Sequence, residues 1–147
     1  MDKKVPFPQA NDFNKVVKLL SVDEDYLEDN DFIKECINVT VDRQVSYYLS
    51  ALMYLGIIDK DRKYTNLGTK IRKMSSQLKT VELVNLLLSD DIIRYAYSYE
   101  KVTAVPFSLK MAIEMIKKDY PDYSEGIYDR RGRSILSWVD WVKENTI

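Results

Sequence analysis

Three groups of cationic and polar side chains have the types and spacing of nucleic-acid contacts. The first group opens an apolar-periodic segment and contains Arg43, Gln44, Ser46 and Tyr47. The second group lies in the polar turn after that segment and contains Lys60, Arg62 and Lys63. The third group is the densest cationic cluster in the chain and contains Arg130, Arg131 and Arg133. Amide, hydroxyl and guanidinium groups at a helix start can reach base edges or phosphates, and clustered cations suit a phosphate backbone.

Each group also has a plain structural interpretation, which stays open at this point. The first group is equally compatible with a solvated helix face. The second can be an ordinary charged turn, because Asp59 and Asp61 offset much of its charge. The arginine cluster precedes an apolar helix, where the helix dipole disfavours cations, so either a phosphate or a carboxylate such as Asp129 or Glu125 must offset it.

Side chains for most catalytic chemistry are missing from the sequence. It has no histidine, one cysteine and four glycines, so His-based acid–base catalysis is excluded and neither a zinc site nor a glycine-rich phosphate loop is expected. The pair Asp90-Asp91 is typical of a helix cap, and Glu114 and Lys117 fall three apart on a helix instead of on a nuclease strand. We therefore expect no enzyme, no metal and no cofactor, with a divergent nuclease as the alternative.

Bulk properties restrict the class of protein. The 147 residues are 46% hydrophobic, which suits a globular chain, and the net charge of −1 means that a nucleic-acid site must be a local patch. The single Cys36 fits a reducing compartment. No apolar run is long enough to span a membrane, and no signal-peptide h-region opens the chain. We expect a cytoplasmic protein with no membrane partner.

One segment sets the expected architecture. Apolar residues recur at helical spacing from Val41 to Leu55, Gly56 follows as the stop, and a β-prone pair and polar turn over 57–65 lead into a new helix at Asn66. Two helices precede this segment, and residues 1–8 are expected to be an extended tail because of Pro6 and Pro8. This order predicts a winged helix-turn-helix, with Val41–Leu55 as the recognition helix and a wing at about 57–65.

The second half of the chain is expected to be helical as well. Apolar periodicity predicts helices at about 81–88, 92–99, 107–118 and 130–145, the last with Trp138 and Trp141 in the core or on a partner surface. Residues 129–137 also echo residues 42–50, with identities at four of nine aligned positions. We therefore predict a mainly α fold of tandem winged helix-turn-helix units with a small β-hairpin wing, residues 1–78 forming the first unit and residues 79–147 the second.

The segment DRQVSYYLSALMYLGIIDKDRKYTNLG, residues 42–68, resembles the winged-helix module of type II restriction endonucleases and related restriction-modification proteins. The residues that carry the resemblance are Arg43, Tyr47, Tyr48, Ala51, Leu55, Gly56, Ile57, Thr65, Leu67 and Gly68. A second motif of that family, a pair of arginines followed by two tryptophans, is matched by Arg130, Arg131, Trp138 and Trp141. The sequence has no segment that resembles the family's nuclease domain, so the resemblance implies DNA recognition, with any cleavage coming from a separate domain or subunit.

We therefore expect duplex DNA binding, as the recognition part of a restriction-modification system or as a small transcription regulator. The expected partners are duplex DNA and a separate nuclease domain or subunit, and a homodimer remains open. The alternative is a protein-interaction module that keeps the winged-helix scaffold without binding DNA, which the near-zero net charge and the many Trp and Tyr residues favour.

Overall fold

Eight α-helices form the described part of the chain, residues 6–146, in a computed structural model. In chain order they are α1 (Phe13–Leu19), α2 (Asn30–Ile37), α3 (Asp42–Tyr54), α4 (Asn66–Arg72), α5 (Ser76–Leu88), α6 (Asp91–Thr103), α7 (Leu109–Asp119) and α8 (Glu125–Glu144). A 3-10 turn, Glu24–Tyr26, lies between α1 and α2. The expectation of a mainly α protein is confirmed. Residues 1–5 and Ile147, which the predicted units include at their ends, lie outside the described residues.

Side-chain caps fix where seven of the eight helices begin. The capping oxygens, each accepting a backbone N–H of the first turn, belong to Asp12, Asp29, Thr65, Ser75, Asp90, Ser108 and Ser124. These are the residue types that satisfy the otherwise unpaired N–H groups of a helix start. The start of α3 differs, because its cap residue Val41 has no such oxygen and Gln44 Oε1 instead accepts from Thr40 N at 3.4 Å.

The last helix begins earlier than the sequence predicts. Ser124 caps α8 through Ile127 N, so the helix starts at Glu125 instead of Arg130. The three arginines of the third group therefore lie beyond the first turn, where the helix dipole no longer acts against them. The similar segments 42–50 and 129–137 therefore do not occupy equivalent positions in their helices, because Asp42 is the first residue of α3 whereas Asp129 is already the fifth of α8.

The predicted β-hairpin wing is wrong in its secondary structure. Residues 6–146 contain no β-strand, and segment 57–65 is a tight hairpin closed by one antiparallel bridge between Ile58 and Tyr64. Its turn is held by the Asp59 carboxylate, whose Oδ1 accepts from Asp61 N at 2.8 Å and from Lys63 N at 3.1 Å. The Tyr64 hydroxyl donates to the Val22 carbonyl oxygen at 2.6 Å, so the hairpin packs on the segment before α2 instead of extending a ladder.

Two glycines fix the position of this hairpin between α3 and α4. Gly56 ends α3 with a φ of 74°, a left-handed conformation that side chains disfavour, as the sequence predicts. Gly68 lies against the backbone of the hairpin, and a Cβ there would be 2.1 Å from the Ile57 carbonyl oxygen. The hairpin therefore packs directly against the start of α4, at a distance that only glycine permits.

The N-terminal segment is buried, which corrects the expected tail for residues 6–8. Phe7 is 3% exposed and packs edge-on against Tyr54 with ring centroids 5.0 Å apart, and it also contacts Trp138 at 4.7 Å. Residues 1–5 of the expected tail lie outside the described part. We name residues 7–14 the N-terminal strap, and its apolar residues Phe7, Ala10 and Phe13 are buried in the core.

Helix α8 joins the two halves of the chain. It packs against α1 as well as against α5, α6 and α7. Trp138 and Trp141 are buried on it at 0% and 6% exposure, so the core is the correct one of the two placements that the sequence left open. The buried apolar residues of both halves belong to one cluster, so the two units predicted from the sequence share a core.

Candidate nucleic-acid interface

A cavity of about 210 Å³ lies where the N-terminal strap, the first turns of α3 and α8 meet. It is lined by Gln9, Asn11, Gln44, Tyr47, Tyr48 and Arg130, and we name it the strap cavity. Three of these residues were predicted as DNA contacts, two on α3 and Arg130 on α8. The tertiary structure therefore brings members of the first and third groups to one place, although 86 positions separate Gln44 from Arg130.

The three amide side chains of the strap cavity already use their carbonyl oxygens. Gln9 Oε1 accepts from Arg130 Nε at 2.9 Å, and Asn11 Oδ1 accepts from the Ser134 hydroxyl at 2.5 Å. Gln44 Oε1 accepts from the backbone N–H before α3. Within residues 6–146 none of the three NH₂ groups has an acceptor. The amides therefore offer three free NH₂ groups to anything that enters the cavity, and each carbonyl oxygen already accepts one hydrogen bond.

The other polar groups of the strap cavity are donors as well. Tyr48 OH accepts from Asp12 N at 3.1 Å, which leaves its proton free to donate, and burial raises the pKa of this hydroxyl. Arg130 uses Nε on Gln9 and keeps its terminal nitrogens for another acceptor. Tyr47 adds a half-buried ring and a hydroxyl. The cavity is thus a concave group of hydrogen-bond donors with one positive charge.

Charges around the start of α3 have mixed signs. Arg43 is exposed one turn before Tyr47 and has no ion-pair partner in the described part of the chain. The neighbouring Asp42 is paired with Lys34 at 2.7 Å, and that hydrogen bond lowers the pKa of the Asp42 carboxyl. Asp12 lies beside Tyr48 through the backbone contact already described and adds a negative charge near the cavity.

The hairpin keeps two of its three predicted contacts available. Lys60 and Lys63 are exposed at its tip. Arg62 is folded inward instead, and its Nη1 donates to the Leu27 carbonyl oxygen at 3.0 Å and to Asn30 Oδ1 at 3.3 Å. The structure therefore assigns Arg62 to holding the hairpin against the start of α2, and leaves the two lysines for a ligand.

Of the three arginines on α8, one holds the N-terminal strap and the other two can still reach a ligand. Arg131 donates from Nη1 to the Phe7 carbonyl oxygen at 2.9 Å and lies over the Tyr123 ring at 4.7 Å, so it braces the strap. Arg133 is exposed and pairs with Asp129 at 2.9 Å, one turn before it. Such an exposed pair is weak and can open to a phosphate. Only Arg130 faces the strap cavity.

The sequence interpretation missed Gln9, Asn11 and Tyr48 as members of this site. Gln9 and Asn11 follow the predicted tail of residues 1–8 and carry no functional prediction, and Tyr48 is a largely buried residue at 7% exposure. The sequence does indicate a packed segment here, because the apolar residues Phe7, Ala10 and Phe13 recur every three positions, which is unusual for a free tail. The remaining predicted contact, Ser46, is exposed on α3 outside the cavity.

Two further properties of the described residues bear on the site. They include no group of three or more His, Cys, Asp or Glu side chains arranged to hold a metal ion. None of the helices between residues 6 and 146 is both long and apolar enough to cross a bilayer.

Comparison with known proteins gives a family without an assigned activity. A family model described as a domain of unknown function, DUF7226, matches residues 15–146. No curated protein matches the chain, and no solved structure matches it. The match begins at Lys15, just after the strap, and includes α3, the hairpin and α8.

Proposed function

The chain belongs to the DUF7226 family, and we propose that this member binds duplex DNA through a winged-helix unit formed by α1, α2, α3 and the hairpin 57–65. In this proposal α3 is the recognition helix and the strap cavity at its start receives a backbone phosphate. Lys60 and Lys63 contact the backbone from the hairpin, and Arg43 and Ser46 face the groove.

The observation that carries the proposal is the predominance of free hydrogen-bond donors in the strap cavity, together with the positive charge of Arg130. Phosphate oxygens carry negative charge and only accept hydrogen bonds, so a cavity with several free donors and one arginine complements a phosphate. Its volume of about 210 Å³ is also below the roughly 300–1,000 Å³ of a small-molecule pocket. A single phosphate group of a longer chain suits this volume better than a whole metabolite does.

The order and contacts of the first helices support the winged-helix assignment. Helix α1 packs on α2 and α3, and α2 packs on α3. The turn between α2 and α3 contains Asn38 in the left-handed conformation, with φ at 58°, which gives a sharp reversal between two helices. The hairpin follows α3 directly, as a wing does, although it is shorter than a two-stranded ribbon. The likeness of residues 42–68 to restriction-modification modules supports duplex DNA over other polyanions.

The test is fluorescence anisotropy with a mixed-sequence duplex at two salt concentrations. The key variant is Gln44→Glu, which keeps the shape and the oxygen that accepts from Thr40 N but replaces the free NH₂ donor by a negative charge. We expect it to weaken binding by about tenfold or more, since a lost charge-assisted hydrogen bond alone is worth about 1.5–3 kcal/mol. Arg130→Gln should weaken binding and also reduce the slope of log affinity against log salt by about one.

The matched control is Gln77→Glu, which makes the same change at an exposed position in the first turn of α5. It alters the net charge by the same amount, so a general charge effect would appear in both variants. We expect its affinity to stay near that of the wild type. Absence of duplex binding at low salt, or equal affinities for the two glutamate variants, would contradict the proposal.

A further inference from the structure

An apolar groove separates α6 from α7 on a surface that the proposed DNA site does not use. It has a volume of about 290 Å³ and is lined by Tyr95, Phe107, Met111, Glu114, Met115 and Lys118. Tyr95 is 55% exposed and lies edge-on to Phe107, with ring centroids 6.1 Å apart. Beyond it, at the end of α6, Val102 is 84% exposed. The groove therefore combines half-buried apolar side chains with exposed apolar groups beside it.

One face of α7 forms the floor and the rim of this groove. Met111, Glu114, Met115 and Lys118 follow the i, i+3, i+4, i+7 spacing that places residues on one side of a helix. The opposite side is occupied, because Ala112 and Ile116 are 0% and 2% exposed in the core. Helix α7 thus has a second, partly apolar face without a cover in the described structure.

The charges on that face are unpaired and opposite. Glu114 and Lys118 lie one turn apart, in the order that normally favours an ion pair within a helix. Neither makes an ion pair among residues 6–146, whereas the adjacent Lys117 reaches Glu125 at 4.0 Å. The flexible, polarisable Met115 lies between the two unpaired charges and Met111 lies one turn before it, a composition that adapts to a partner surface.

We propose that the α6–α7 groove binds the same groove of a second copy of the protein, forming a two-fold symmetric dimer. A two-fold axis that crosses α7 near Ile116 places Glu114 of each copy opposite Lys118 of the other. Each charge is then paired once, giving two ion pairs per dimer, and the Met115 side chains of the two copies meet between these pairs. Helices related by such an axis run antiparallel, which preserves this register along the whole face.

The second copy is favoured over another partner because the face is complementary to itself. A two-fold interface uses the same patch on both subunits, so each positive group on the patch needs a negative group at the symmetry-related position. The spacing of Glu114 and Lys118 on one helix meets that requirement without any further residue. A different protein would need a separately matched set of charges.

The test is the molar mass of the whole chain by sedimentation equilibrium over a wide range of protein concentration. We expect a reversible dimer for the wild type. Glu114→Lys and Lys118→Glu each place like charges opposite each other twice per dimer and should raise the dissociation constant by about tenfold or more. The double variant, with both changes, restores opposite charges and should dimerise like the wild type.

Mixing the two single variants gives an independent check. One then carries two lysines and the other two glutamates at these positions, so a heterodimer should form although neither variant dimerises well alone. Controls are Glu35→Lys on α2 and Lys18→Glu on α1, both at exposed positions away from the groove, and they should leave the dimer unchanged. A wild type that stays monomeric, or reversals that are rescued neither by the double change nor by mixing, would overturn the inference.

Discussion

Trp138 Nε1 donates to the Ala10 carbonyl oxygen at 2.7 Å, inside the core and across 128 positions of sequence. The same ring contacts Phe13 edge-on at 5.1 Å, on the strap residue that opens α1. This contact positions both walls of the strap cavity, because Gln9 and Asn11 flank Ala10 and Arg130 lies two turns before Trp138 on α8. The donor site thus depends on a buried hydrogen bond between the two ends of the chain.

Trp138→Phe should destabilise the protein more than Trp141→Phe does. The first change leaves a buried carbonyl oxygen without its donor and a void in the core, together about 2–4 kcal/mol. Trp141 Nε1 donates to Asn14 Oδ1 at 3.0 Å, and because Asn14 is exposed, water can replace that bond, so we expect about 1–2 kcal/mol. Urea unfolding followed by far-UV circular dichroism measures both, and equal losses would contradict the assigned role of Trp138.

Substitutions of the hairpin cations should affect either the unfolding free energy or DNA binding, depending on the residue changed. Arg62→Ala removes the bonds to the Leu27 carbonyl oxygen and Asn30, so we expect a loss of about 1–2 kcal/mol in unfolding free energy and an unchanged salt slope of DNA binding. The double variant Lys60→Ala/Lys63→Ala should do the opposite, with stability kept and the slope reduced by up to about two. Thermal melts measure stability, and anisotropy on the same samples measures the salt slope. A double variant with the wild-type slope would show that the hairpin does not contact DNA.

Asp12→Asn should strengthen DNA binding. The change removes the negative charge beside Tyr48, while asparagine still caps α1 and the backbone N–H that donates to Tyr48 OH is unaffected. We expect a gain of about two- to fivefold in affinity, the size of a partly solvated charge interaction. Asp29→Asn is the matched control, since it changes an N-cap aspartate on α2 in the same way. A gain of equal size in both variants would indicate a net-charge effect instead.

Acid should weaken the contact between α6 and α8 through Glu100. Burial raises the pKa of this carboxyl, but hydrogen bonds from Lys143 Nζ at 2.8 Å and Phe107 N at 3.0 Å outweigh burial and hold the pKa below its ordinary 4.5. A lowered folded pKa means that the unfolded chain binds the proton more tightly. The stabilisation is therefore complete above about pH 4.5 and is lost as the pH falls through the lower folded value.

The measurement is the urea unfolding free energy at neutral pH and at a series of acid pH values. Glu100→Gln cannot titrate, so its stability should fall less between pH 5 and the acid limit than that of the wild type. Glu35→Gln, at an exposed position on α2, should follow the wild-type profile. An identical acid dependence in the Glu100 variant would show that this carboxylate does not link the helices.

Several elements could be predicted from local sequence, and the errors have a common cause. Gly56 was identified as the stop of α3, because a positive φ at a helix end is a local requirement. The start of α8 was misplaced, because Ser124 lies outside the apolar periodicity that indicated the helix. The wing was predicted as a β-hairpin from its β-prone residues, but Tyr64 and Arg62 find their partners on the segment before and at the start of α2, which no nearby residue indicates.

The sequence by itself determined that the chain is mainly helical and that polar and cationic groups lie at the start of α3 and on α8. These properties follow from periodicity and residue type, which act over a few residues. Only the tertiary structure decided which of those groups are available to a ligand. Arg62 and Arg131 are used by backbone carbonyls far away in the chain, whereas Gln44 and Arg130 meet around a cavity with the strap residues. Hydrogen-bond donors become a site when packing brings them together around one cavity, and that depends on contacts between distant segments.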